Sequence, residues 1–213
     1  MRFALAIATL ALGSCSLMPG VPEAQEVPAH FGTEEEVARV HRVMILPFNA
    51  APGVHGDTEP LREAFSVALA KTGRFELVPL PTGASEDRVL YQSLNRGRLS
   101  TEALAALGKR YYLDGVLLGT VTGYRPYKPP HLGMRVQLIS MHTATAVWAT
   151  EAFYDSNDAG TAEDIQHYMQ SYQSEEESMH GWEITLISPR RFAAFVAHRL
   201  VGTWREPRFA SPD

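Results

Sequence analysis

Three kinds of stretch alternate along the chain when it is read as apolar and polar positions. Arg42 to Phe48 and Leu113 to Thr122 are continuous apolar runs of strand length, as expected of strands buried on both faces. Apolar positions recurring at three and four predict helices. Leu61, Phe65, Ala68 and Leu69 follow Pro60 and end before Gly73, and Leu104, Leu107 and Tyr111 follow a cap at Ser100 or Thr101. Ile165, Tyr168, Met169 and Tyr172 share a face within Ala162 to Gln173, which predicts a buried face. Phe192, Phe195, Val196, Arg199, Leu200 and Thr203 share another behind the helix start Ser188-Pro189. Strict alternation predicts two antiparallel strands with one wetter face. Met134, Val136 and Leu138 alternate with Arg135 and Gln137; Val147, Ala149, Glu151 and Phe153 alternate with Trp148, Thr150, Ala152 and Tyr154; the turn between is His142 to Thr145.

Weaker signals fill the remainder. Thr33 with Glu36 has capping-box spacing for a short helix over Glu34 to Val40. Phe75 to Pro79 and Trp182 to Ile187 read as short strands, and Ser85 caps a helix running toward Asn95. Gly115 and Gly119 inside an apolar strand predict close backbone approach or a bend. The order strand, helix, strand, followed by an antiparallel pair and a closing helix, predicts an α/β (α+β) protein: a single three-layer domain with a central mixed β-sheet flanked by helices.

The start of the chain is of another kind. Phe3 to Leu12 is apolar behind Met1 and Arg2, too short to span a bilayer and of the size of a secretory signal core. It is followed by Leu12-Gly13-Ser14-Cys15, with the chain's single cysteine. These four residues resemble a bacterial lipobox, which implies cleavage after Ser14, lipidation of Cys15 and attachment to a membrane through that lipid. In the resembling lipoproteins an Asp after the lipidated Cys retains the protein at the inner membrane; Ser16 implies sorting to the outer membrane, facing the periplasm. Ser16 to Gly32, with Pro19, Gly20, Pro22 and Pro28, reads as a tether of at most about 60 Å. The expected organisation is signal peptide 1–14, lipidated end and tether 15–32, domain 33–204 and tail 205–213.

Composition narrows the functions. With Cys15 acylated no thiol remains for a disulfide, a thiolate metal site or a nucleophile. Cleavage removes Arg2, taking the formal net charge from -5 to -6, and no basic tract offers a footprint for nucleic acid. The eight histidines are scattered without ligand spacing. Asp57 with Glu59, and Glu86 with Asp87, fit solvated cap and loop acids better than a catalytic pair. Ser140 near His142 lacks a nucleophile elbow. No cofactor or metal is expected.

Arg42 to Phe48, the helix through Phe65, Phe75 to Pro79, and Leu107-Gly108 leading into Asp114-Gly115-Val116-Leu117-Leu118-Gly119 resemble the α/β domain of curli secretion-channel lipoproteins, lipoprotein activators of penicillin-binding proteins and the amino-terminal domain of the Tol translocation protein. The resemblance covers roughly Arg42 to Tyr154, and the turn Thr143-Ala144-Thr145 departs from the usual Thr-Gly. It implies a non-enzymatic role: binding envelope proteins or assembling in envelope biogenesis or secretion. An envelope hydrolase with an unrecognised site and a homo-oligomeric, ring-forming subunit of an export apparatus are the alternatives. Asp155 to Gly181 is polar with helical spacing, so no lipid-facing pore strands are expected. Tyr124-Arg125-Pro126-Tyr127-Lys128-Pro129-Pro130 reads as a stiff loop, with Tyr124, Arg125 and Tyr127 as candidate partner-binding anchors. A plain hairpin connection covering a sheet edge is the alternative.

Overall fold

The computed structural model describes residues 26–81, 101–172 and 181–205. The expected signal peptide, Cys15, the Ser85 helix and the acids Glu86 and Asp87 lie outside the described residues. Within them the strands are β1 (Ala29–Phe31), β2 (Arg42–Ile45), β3 (Asn49–Ala50), β4 (Glu76–Leu77), β5 (Gly115–Arg125), β6 (His131–Ser140) and β7 (Ala146–Asp155). The helices are α1 (Glu34–Ala38), α2 (Glu59–Ala70), α3 (Thr101–Tyr111), α4 (Ala159–Tyr172) and α5 (Pro189–Gly202).

The strands form one mixed sheet in the order β1-β7-β6-β5-β2-β4, with β3 also on β5. β2 is parallel to both β4 and β5, while β5, β6, β7 and β1 run antiparallel in turn. This is the α/β architecture that the apolar runs and the alternating pair predict. β2 is buried on both faces: Val43 and Ile45 enter the larger core with Phe65 of α2 and Phe195 of α5, while Met44 and Leu46 enter a smaller one with Leu107 of α3, Leu113 and Val116. Helices therefore cover both sides, giving three layers.

Two of the expected helix starts, at Thr33 and Ser188, carry side-chain caps. Thr33 and Glu36 form a reciprocal capping box, and the hydrogen bonds from the Thr33 side chain and backbone hold the Glu36 carboxyl below its ordinary range. Ser188 accepts from the Arg191 N–H at the start of α5. Along α5, Phe192, Phe195, Val196 and Leu200 are buried, and Trp148 Nε1 donates to Thr203 Oγ1 (3.0 Å) just beyond it. Tyr168 and Met169 of α4 are buried as their spacing predicts. Arg199 ties α5 to α4 and β7, with Nη2 3.2 Å from Asp164 Oδ2 and Nε 3.4 Å from the Tyr154 hydroxyl.

Three expectations need correction. The tether of 15–32 gives way to structure at its end: Ala29–Phe31 pairs with Trp148 to Thr150, Thr150 Oγ1 donates to Pro28 O (2.8 Å), and Phe31 stacks edge-on against Trp204. Three residues are too few to show an alternation, so only β7 reveals this strand. Trp182–Leu186 is a 3₁₀ helix, not a strand. Trp182, Thr185 and Leu186 all meet the core or are buried, and that i, i+3, i+4 spacing is helical. Finally, Tyr124 and Arg125 are strand residues, paired with Leu132 and His131, so the connection from β5 to β6 is only Pro126 to Pro130. The glycines of β5 do mark close approach: an added Cβ at Gly115 would lie 2.8 Å from Val40 Cγ1, and the Phe48 ring lies across Gly119.

Candidate functional site

β5 and β6 pair over their whole length and are joined by the hairpin loop Pro126 to Pro130, which brings Tyr124, Arg125 and Tyr127 to one end of the sheet. Their environments differ. Tyr124 is half-buried against the larger core, and its ring covers Gly56, where an added Cβ would come within 2.7 Å. Burial, then the Asp57 carboxylate, push its hydroxyl above the ordinary range. Arg125 Nε donates to Pro129 O (2.7 Å), bracing the loop from inside, and the Lys128–Pro129 bond is cis. Tyr127 is presented to solvent, 79% exposed, and Arg125 is exposed as well. The three expected anchors thus stand at one end of the sheet, Arg125 and Tyr127 exposed and Tyr124 half-buried.

An exposed aromatic that the sequence did not single out, Phe153, lies toward the same end of the sheet. Phe153 packs over Gly123 and Gly133, where added Cβ atoms would sit 3.1 and 2.8 Å from its ring, and His131 stacks against it at 5.5 Å. The pairing of Gly133 with both Gly123 and Phe153 makes this floor. Alternation grouped Phe153 with Glu151 on one face of the strand, which was the available signal.

The other candidates are engaged in local contacts. Asp57 Oδ1 accepts from the Glu59 N–H just ahead of α2, and Glu59 pairs with Arg62 in its first turn. Ser140 is buried and accepts from the His142 N–H (3.2 Å), while the His142 ring faces Asp114 Oδ1 at 3.4 Å. Burial opposes ionisation of Asp114, but hydrogen bonds from the Arg42 and His41 N–H groups, joined by His142, outweigh it and hold the carboxyl below its ordinary range. Asp114 thereby locks the start of β5 to the start of β2. Among the described residues no three His, Cys, Asp or Glu side chains are grouped to hold a metal ion. A groove of about 450 Å³ between α2 and α5 is lined by Val67, Lys71, Tyr168, Arg190 and His198. No helix of the described residues is long and apolar enough to cross a membrane.

Fold and surface together make an α/β domain with a mixed sheet, stiffened at one end into an exposed aromatic hairpin. No family model matches the chain, and no curated protein matches it. Solved structures similar to it include a PelC dodecamer from Paraburkholderia phytofirmans, 14% identical over 64% of this chain and 86% of that one with a TM-score of 0.44. Lipoprotein GNA1162 from Neisseria meningitidis is 19% identical over 56% and 86% with a TM-score of 0.42. The LpoB C-terminal domain from Escherichia coli is 17% identical over 53% and 81% with a TM-score of 0.40.

Proposed function

We propose that this chain is a lipoprotein of the outer membrane, anchored through Cys15, whose domain acts in the periplasm by binding other envelope proteins and not by catalysis. The observation that carries this reading is Tyr127, exposed on a loop bounded by Pro126 and Pro129 and braced by Arg125. A large aromatic on a pre-stiffened loop loses little entropy when it is covered, which suits a binding anchor.

The direction of the chain supports the same reading. β1 runs antiparallel to β7, so going back from Ala29 the chain heads toward Asp155, the hairpin end of the sheet. The stretch from Cys15 to Glu26 reaches at most about 40 Å, which keeps that end near the lipid surface.

The test uses the full-length chain in its own cells, crosslinked in place and analysed by mass spectrometry. Tyr127→Ala is expected to deplete specific envelope proteins from the crosslinked set while stability changes by less than about 0.5 kcal/mol. An unchanged set removes the hairpin as the docking site. Cys15→Ala is expected to leave the precursor unlipidated and misplaced; mature protein recovered from washed envelopes with Cys15 unmodified overturns the anchor.

A further inference from the structure

We propose that the β5–β6 hairpin takes an acidic segment of its partner protein, with Arg125 and Lys128 receiving carboxylates on either side of Tyr127. This deepens the docking reading of the hairpin and rests on it: the tyrosine supplies the anchor and the two cations supply the selection.

Charge is spread unevenly along the chain. Acidic residues number 24 against 19 lysines and arginines, yet residues 115–150, which make β5, the hairpin, β6 and the start of β7, contain no Asp or Glu. The lysines and arginines of that stretch are Arg125, Lys128 and Arg135. Arg135 is paired with Glu151. The other two flank Tyr127: both are exposed, and neither pairs with a carboxylate among the described residues. The bond from Arg125 Nε to Pro129 O (2.7 Å) fixes the guanidinium and leaves its Nη groups to a ligand, in the planar fork that suits a carboxylate. Two acids on the flanks of the loop already accept backbone N–H groups: Asp57, whose charge reaches Tyr124, from Glu59, and Asp155, opposite His131, from Asn157.

The arrangement fits a protein segment better than a lipid surface or a second copy of this chain. Basic segments that hold to anionic lipid present about four to eight lysines and arginines, each worth about 1 kcal/mol; here Arg125 and Lys128 stand with one exposed ring. The bond from Arg125 to Pro129, with Pro126 and Pro130 at the ends of the loop, sets the spacing between the cations. A set spacing selects one placement of carboxylates and not a diffuse negative field. A symmetric contact between two copies through this loop would bring Arg125 and Lys128 against their own counterparts, like charge on like. The same repulsion turns away basic segments.

The experiment places the photoreactive analogue benzoylphenylalanine, an aromatic in place of an aromatic, at position 127 of the full-length chain in its own cells. The expected result is an adduct to another protein through a peptide of net negative charge. Lys128 makes no hydrogen bond or ion pair among the described residues, so Lys128→Glu reverses a charge and leaves the brace from Arg125 in place. It should lower the yield at least about tenfold, while Lys128→Arg keeps it within about twofold. A protein adduct whose yield is indifferent to Lys128→Glu, falls as far with Lys128→Arg, or forms through a peptide without net negative charge overturns the acidic partner and leaves the hairpin as a docking site. No protein adduct at all, or an adduct to phospholipid, to this chain itself or to a second copy, overturns the hairpin reading and this inference with it, so the two failures are recognised apart.

Discussion

On one face of the sheet Tyr154 of β7 packs against Phe195 of α5, with Phe48 and Phe65 edge-on to one another and Trp204 set among Phe31, Phe75 and Trp148. On the other, α3 sets Leu107 over Met44, Leu46 and Val116, and beyond its reach β6 and β7 turn Arg135, Gln137, Glu151 and Phe153 outward. The first face is aromatic, wide and covered by α2, α4 and α5; the second is aliphatic, narrow and half wet. Aromatic burial contributes more area per residue, so stability should reside mainly on the first face. The second is then free to vary at its surface, and Tyr112 and Phe153 are exposed on that side or at its margin.

This asymmetry is open to experiment, most severely in the cores. Phe195→Ala is expected to cost about 3–5 kcal/mol in denaturant unfolding and Leu107→Ala about 2–3 kcal/mol. Equal losses would mean that both faces carry the fold alike. Next comes the lock between β2 and β5: Asp114→Ala should cost about 1.5–3 kcal/mol, because two backbone N–H groups lose a charged acceptor. Its folded carboxyl titrates below the unfolded value, so wild type should exceed the variant fully above the unfolded value near 4. That margin should close as pH falls through the lowered folded value; a gap independent of pH would exclude the charged hydrogen bonds as its origin. Ala144 occupies a left-handed position in the β6–β7 turn at φ 57, a region that strains a β-carbon and favours glycine. Ala144→Gly should therefore gain about 0.5–1 kcal/mol, read as a raised melting temperature. Smallest of all, Glu151→Gln on the wet face removes the partner of Arg135, a pair about half exposed on each side. It should change stability by less than about 1 kcal/mol.

The difference between Tyr124 and Tyr127 shows how far a linear pattern carries. Both stand in one aromatic, basic and proline-rich stretch, and both suit an anchor by residue type. What separates them is Gly56, far away in sequence, which leaves a space that only the Tyr124 ring fills. The helix through Tyr111 was legible, but not that Tyr112 just beyond it is left-handed and exposed. Its backbone angle follows from the closure between α3 and β5 and from Arg42, neither of which is local.

Whatever depends on neighbours within a turn or two could be read from the residues in order: the caps at Thr33 and Ser188, the helical faces of α2, α4 and α5, the doubly buried β2 and β5, and the alternation of β6 and β7. Those signals are local because hydrogen-bonding period and apolar spacing act over a few residues. Packing, and nothing in the linear pattern, settled that Ala29–Phe31 joins the sheet, that Trp182–Leu186 turns as a 3₁₀ helix, and which aromatic side chains remain outside. Each depends on what a distant strand or helix leaves uncovered, and burial of that kind is a property of the folded chain.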